Sequence, residues 1–423
     1  MVMFMKQYLE RLIDITIKRE LDAIGCVAIE GPKWCGKSTT GETFAKKVVK
    51  LQDPITFNQY SNFATTSREL LLAGDKPLMF DEWQKIPDLW DFIRLDIDET
   101  SGVGKYILTG SSKPIENKAR HTGIGRIAKI TMRPMSLWES LESTGEVSLK
   151  EMFDGKDMIS GKAKVSLEEL AFITCRGGWP ESVMRPTQAL TLIADYFKSL
   201  TSEDIAEIDG IKRNTLRAQA ILRTYARNIS TFATDSTLLA DLTENDETIT
   251  RPTLYSYILA FNKLYVLEDI IAWSPKLRSK SVIRSASKRQ FIDPSLAAFA
   301  LGAKPNDLIA DLNTFGFLFE SLCGRDLRIY AQSINGEVYH YRDKDGLEVD
   351  AIVHLIDGRW GAIEIKLGGN QIDQAAKNLI KFKEKVNTEK MSEPSFLMIL
   401  TGAPTAYKRP DGVLVVPLGC LKD

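Results

Sequence analysis

Between Gln7 and Ala23, the residues Leu9, Leu12, Ile13, Ile15, Ile17 and Leu21 recur among charged positions at helical spacing, which predicts an amphipathic helix. The apolar run Cys26–Ile29 follows and reads as a buried strand. Helical stretches then alternate with short apolar runs at Leu78–Phe80, Tyr106–Leu108 and Ile127–Ile130. Strands separated by helices predict an α/β fold with a parallel sheet covered by helices. This first domain is expected over residues 1–186, past the turn-rich stretch Arg176–Glu181.

The pattern changes over residues 187–302. Apolar positions at helical spacing predict helices at Thr215–Ile229, Ser236–Leu242 and Thr250–Leu264, the last with Pro252 in its first turn. Val266–Ala272 then reads as a strand, and three helices followed by a strand suggest a winged-helix-like domain. A third domain, 303–423, reads as small and α/β. Its predicted order is a helix at Leu312–Tyr330, strands at Glu337–Arg342, Leu347–Ile356 and Arg359–Lys366, a helix at Gln371–Lys385, and strands at Ser395–Leu400 and Gly412–Val416.

Composition narrows the function. With 423 residues, 44% hydrophobic and 26% charged, the chain reads as globular and of more than one domain. Lysine and arginine number 55 against 56 acidic residues, so a global polycation is excluded while a local basic patch is not. The five cysteines include no C-x-x-C pair and the three histidines no H-E-x-x-H, which argues against a disulfide framework, structural zinc or zincin chemistry. No apolar run approaches the roughly 18–20 residues of a membrane span. Charges at Lys6, Glu10 and Arg11 interrupt the start too early for a signal peptide. A reducing, cytoplasmic setting is expected.

Gly31 to Ser38 fits the phosphate-loop pattern G-x-x-x-x-G-K-S, after a strand and before a helix. Gly31, Pro32, Lys33, Trp34, Cys35, Gly36, Lys37, Ser38 and Thr39 would cradle ATP with backbone N–H groups and the helix N-terminus. Lys37 would neutralise the β- and γ-phosphates, and Ser38 would ligate Mg²⁺. Downstream, the apolar strand 77–80 delivers Asp81 and Glu82; Asp81 would hold the ion and Glu82 polarise the attacking water. Thr109, at the end of another strand, could sense the γ-phosphate, or simply close a turn. Arg126 could reach it as a finger from this chain or a neighbour, or be a plain surface residue.

A second constellation lies near the C-terminus. Glu348 and Asp350 share one strand face, as do Glu364 and Lys366. Asp350 and Glu364 on adjacent strands could hold Mg²⁺, Lys366 would position or deprotonate water, and Glu320 on the preceding helix could add a fourth group. The alternative is a cross-strand ion pair in a structural module. Between the constellations, residues 276–289 hold Lys276, Arg278, Lys280, Arg284, Lys288 and Arg289 without an acid. This stretch could track DNA phosphates, with Tyr255 and Tyr257 facing a groove, or be a solvated linker.

Together these residues resemble a family of prokaryotic AAA-type ATPases. Its members join an N-terminal ATPase to a C-terminal region of unassigned function similar to PD-(D/E)xK nucleases. The resemblance is carried by Tyr8–Arg11, Ile29–Ser38, Phe80–Gln84, Leu108–Ser112, Gly125 and Arg126, Pro134–Glu139, Gly177–Glu181, Phe291–Asp293, Glu320, Glu348, Asp350, Glu364 and Lys366. It implies ATP binding and hydrolysis at Lys37, Ser38, Asp81 and Glu82, and a winged-helix link between the end domains. It leaves open whether DNA or a protein is the partner, whether the chain forms oligomers, and whether the nuclease-like domain cuts.

Overall fold

The computed structural model describes residues 8–111, 123–244, 249–274, 286–386 and 391–423. The chain divides into two compact units. The first comprises Met1–Pro134 with Ala206–Ile211 and Lys263–Tyr265. It opens with α1 (Ile13–Ala23), β1 (Cys26–Glu30), α2 (Lys37–Phe44), β2 (Lys47–Lys50), α3 (Pro54–Thr66) and α4 (Arg68–Leu71), and continues with β3 (Leu78–Asp81), α5 (Leu89–Thr100), β4 (Tyr106–Gly110) and β5 (Ile127–Thr131). The sheet order is β2-β3-β4-β1-β5 and every pairing is parallel.

Near-continuous burial of β1, β3 and β4 matches a sheet covered on both faces. Leu78, Phe80, Tyr106 and Leu108 pack with Leu89, Trp90 and Ile93 of α5 into one apolar core. Parallel order places the ends of β1, β3 and β4 at one edge, where ligands of open α/β sheets bind. The opening helix starts later than the apolar pattern predicts. Tyr8 and the Arg11 N–H donate to the Asp14 carboxylate, which holds residues 8–11 outside the helix.

The second unit comprises Met135–Ile205, Lys212–Asn262 and Val266–Asp423. It contains β6 (Val147–Ser148), α6 (Leu149–Phe153), β7 (Gly161–Lys162), α7 (Leu167–Arg176), α8 (Pro180–Met184), α9 (Ala189–Ser199), α11 (Thr215–Arg227), α12 (Asp235–Thr243) and all but the last residue of α13 (Arg251–Lys263), while the short α10 (Ile205–Glu207) straddles the division, with Ala206 and Glu207 counted in the first unit. Then come α14 (Pro294–Leu301), α15 (Pro305–Ala310), α16 (Leu312–Ser333), β8 (Gly336–Arg342), β9 (Glu348–Leu355), β10 (Trp360–Lys366), α17 (Ile372–Lys385), β11 (Leu397–Thr401), β12 (Thr405–Lys408), β13 (Leu414–Pro417) and β14 (Leu421–Lys422). Side-chain caps set several starts: Ser166 and Glu169 form a capping box on α7, and Asp293 caps α14 ahead of Pro294.

The large sheet runs β7-β12-β13-β11-β10-β9-β8. β8, β9 and β10 pair antiparallel, whereas β10, β11 and β13 pair parallel. Ile372, Ala375, Leu379 and Phe382 of α17 bury against Trp360, Ala362 and Ile399 of the sheet.

The units part at Pro134 and Met135, whereas the sequence pattern places a boundary near residue 186. The reason is long-range pairing. β6 pairs with β14, β7 pairs with β12, and the Leu137 N–H donates to Asp326 on α16 at 2.9 Å. The three predicted helices are present as α11, α12 and α13, but the strand expected over Val266–Ala272 is reduced to single bridges, Leu267 to Phe291, Ile270 to Lys288 and Ala272 to His340. No helix among the described residues is long and apolar enough to cross a membrane.

Candidate functional site

The phosphate loop joins β1 to α2. Gly31 passes against β5's end so closely that a Cβ would lie 2.2 Å from the Met132 carbonyl oxygen. Gly36 takes the left-handed conformation at φ 105° and caps α2. Lys37 is buried, and its Nζ donates to the Pro32 carbonyl across the loop at 2.6 Å. The Cys35 carbonyl accepts from Arg11 at 3.0 Å, and Tyr8 bonds Thr40 at 3.1 Å, so the segment ahead of α1 braces the loop from outside. Lys33, Trp34 and Thr39 are exposed along it.

Asp81 ends β3 without any exposure. Its Oδ1 accepts from Ser38 Oγ at 2.7 Å and Thr109 Oγ1 at 2.6 Å, while Oδ2 accepts from Gln52 at 2.8 Å. Ser38, Asp81 and Thr109 therefore converge as an all-oxygen group beside the loop, the donor chemistry that suits Mg²⁺. Glu82 sits at φ 58°, left-handed for a non-glycine residue, a conformation that costs about 1–3 kcal/mol. Gln84 donates to its carboxylate, and Ser111 does so at 3.2 Å. Gln84 lies in the Phe80–Gln84 stretch that carries the family resemblance, though with no role assigned to it, whereas Gln52 carried no signal: it follows the short strand β2, which the apolar pattern does not reveal.

Arg126 is not brought to this site by its own chain. It precedes β5, and its carbonyl accepts from the Cys26 N–H at the start of β1, the sheet edge opposite the loop. Its guanidinium pairs with Asp98 at 2.6 Å on the exposed surface. In a parallel sheet the two edges are separated by the length of the strand, here five residues of about 3.3 Å each.

Residues 25–141 match the family model of an AAA domain. The chain carries an AAA-type P-loop ATPase domain. ATP binding belongs to that domain, and its phosphate loop lies within the matched span. Residues 167–307 and 315–421 match two further models, described as domains of unknown function DUF8612 and DUF4143. No curated protein matches the chain.

Among solved structures, the chain is similar to the Walker-type ATPase of Pyrococcus abyssi at 15% identity, covering 70% of this chain and 97% of that one, with a TM-score of 0.41. The replication initiator DnaA bound to AMPPCP and single-stranded DNA follows at 12% identity, 59% and 86% coverage and a TM-score of 0.28. Drosophila ORC bound to DNA stands at 13% identity, 63% and 86% coverage and 0.21. At TM-scores this low nothing about the chemistry of this chain follows from them.

In the second unit the structure brings the predicted acids together. Asp350 and Glu364 face each other one step past the last laddered pair of β9 and β10, Ala351 with Ile363. Lys366 Nζ lies 2.8 Å from Asp350 and 2.7 Å from Glu364, and Asp350 also accepts from the Ile365 N–H at 2.9 Å. Glu320 on α16 joins the group through a residue expected elsewhere. Lys288 is fully buried, with Nζ 2.7 Å from Glu320, 3.2 Å from Asp350 and 3.4 Å from Glu348.

Burial, then Asp350 beside it, pushes the Glu364 carboxyl up to about 8. Burial likewise raises Glu320 to about 7 against the pull of Lys288. Burial opposes ionisation of Asp350 too, but Lys288 and Lys366 outweigh it and hold Asp350 well below the usual carboxylate range. Among the described residues no group of three or more His, Cys, Asp or Glu is placed to share one metal ion.

The basic stretch 276–289 is thereby corrected at its described end. Lys288 is interior, and Arg289 pairs with Asp235 at 2.6 Å and Asp269 at 3.0 Å, so neither is a loose phosphate contact. Lys276, Arg278, Lys280 and Arg284 lie outside the described residues. Of the two tyrosines on α13, Tyr255 is exposed, but Tyr257 is buried with its hydroxyl on the Asn214 backbone.

Proposed function

We propose that this chain is a Mg²⁺-dependent ATP hydrolase whose nucleotide state controls a nuclease-like, DNA-engaging C-terminal domain. The observation that carries the ATPase half is the placement of buried Lys37 and Asp81 and half-buried Ser38 where β1 and β3 end, with Ser38 bonded to Asp81. Gly31 and Gly36 leave the loop open to phosphate oxygens, Lys37 supplies the positive charge, and Ser38 with Asp81 would hold Mg²⁺. Held there, Mg²⁺ would supply charge neutralisation for the transferring phosphoryl group. Glu82, held by Gln84 and Ser111, is the group to orient the attacking water. Phosphate release by the intact chain and by Lys37→Ala tests this. Turnover should fall on the order of 100-fold or more in the variant, and equal turnover would remove Lys37 as the catalytic lysine.

The nuclease-like reading of the second unit rests on Glu320 from a helix, Asp350 from one strand, and Glu364 with Lys366 from the next. A winged-helix role for α11–α13 and DNA as the partner are part of the same proposal. A second reading, favoured by Lys288 among the acids, is a nucleotide-gated binding protein whose nuclease-like domain engages a partner without cutting. Incubation with linear and branched DNA plus Mg²⁺ separates them: cleavage lost in Asp350→Ala supports the first, and DNA binding without cleavage supports the second.

A further inference from the structure

Lys288 is held by backbone as well as charge. Its N–H and carbonyl exchange hydrogen bonds with Ile270, both at 2.9 Å, and its side chain has no exposure. The ammonium has three donors. Three carboxylates from two elements surround it: Glu320 of α16 at 2.7 Å, and Asp350 and Glu348 of β9 at 3.2 and 3.4 Å. Lys366 takes the other oxygen of Asp350 at 2.8 Å and Glu364 at 2.7 Å. Each oxygen of Asp350 is thus already committed to a different fixed ammonium.

Gathering several carboxylate oxygens around one positive charge is what a divalent cation does in an oxygen-ligated site. The spacings here are those of N–H···O bonds and ion pairs, so the ammonium groups already balance the charge on these oxygens. A divalent ion seated among these oxygens would also lie beside a buried, immobile cation, with little solvent to screen the repulsion.

We propose that the cation subsite of this acidic cluster is held by the ammonium of Lys288 in place of a divalent ion. The domain neutralises its own acidic cluster with a side chain of its own, and with Lys288 seated there the position a divalent ion would need is taken. The inference rests on the nuclease-like reading above, and of the two readings it selects engagement without cutting.

The test uses the full chain without nucleotide, titrated with Mn²⁺ and followed by electron paramagnetic resonance and thermal melting. Wild type and Asp350→Asn should take up the same Mn²⁺, and wild type should melt alike with Mn²⁺ or EDTA. Lys288→Met should gain about one Mn²⁺ per chain, raise its melting temperature on binding, and lose both effects when Asp350→Asn is added. If Lys288→Met does not fold, Lys288→Met/Glu320→Gln, which removes one charge of each sign, carries the same comparison. Wild-type uptake that Asp350→Asn abolishes overturns the assignment to Lys288 and leaves the nuclease-like reading standing. A folded Lys288 variant that gains no Mn²⁺ overturns both.

Discussion

Replacing Asp81 by Asn separates what this carboxylate does for the fold from what it does for the reaction. Asp81 is unexposed and accepts three hydrogen bonds, from Ser38, Thr109 and Gln52, at 2.6–2.8 Å. Asn has the same shape. Its carbonyl can keep both hydroxyls, and Gln52, on the exposed side, can turn its amide to meet the new NH₂. Each bond changes from charge-assisted to neutral, a loss of up to about 1 kcal/mol, partly offset because a buried charge disappears.

A net loss of about 1.5 kcal/mol in a unit of roughly 140 residues lowers the melting temperature by about 5 °C. The effect on hydrolysis is larger. On the proposed site the charge that would face Mg²⁺ is gone, so metal affinity should fall on the order of 100-fold and the Mg²⁺ activation curve should move to higher concentration. Phosphate release measured across Mg²⁺ concentrations, beside a melt without nucleotide, reads both effects. Wild-type turnover with an unmoved Mg²⁺ midpoint would refute the placement of Asp81 at the ion, whatever happens to the melt.

Three further outcomes follow from the geometry. Gly31→Ala places a Cβ 2.2 Å from a backbone carbonyl that cannot swing aside, so affinity for a fluorescent ATP analogue should fall on the order of tenfold or more, a cost of about 1–3 kcal/mol; unchanged binding would mean the close approach does not shape the loop. Arg126→Ala, which removes an exposed ion pair, should leave turnover of dilute protein unchanged and cost at most about 1 kcal/mol; a sharp loss of turnover there would contradict its position at the far sheet edge.

His340 is fully buried, and burial followed by the nearby charges of Lys288 and Arg342 lowers its pKa to about 4. Unfolded chains protonate this ring below about pH 6.5 while the folded chain resists, so stability is lost as pH falls from about 6.5 to 4, by about 3 kcal/mol from this group. Denaturant melts of His340→Phe should show an acid limb flatter by that amount; parallel limbs would refute the attribution.

The sequence alone determined the ATPase core because its signals are local. A glycine loop between an apolar run and a helix, and a strand ending in Asp81, need only neighbours along the chain to be read, and β1, β3, β4 and β5 stand where the apolar runs predict them. The acid order Glu320, Asp350, Glu364 and Lys366 was legible for the same reason: period two along a strand fixes which side chains share a face. β2 and β12 escaped because each has a single fully buried residue, Val49 and Ala406, too few for a periodic signal.

Only tertiary structure decided the rest. Whether residues 135–186 side with the ATPase or the second unit depends on β6 meeting β14 and β7 meeting β12, pairings between distant segments that neither partner encodes by itself. Arg126 read either as a finger or as a plain surface residue, and the strand order decided that its own chain holds it at the edge opposite the loop. Lys288 looked like one more charge in a basic run, because a lysine carries no mark of burial in its own neighbourhood. The carboxylates that make its burial tolerable come from α16 and β9, and they become its surroundings only when the chain has folded.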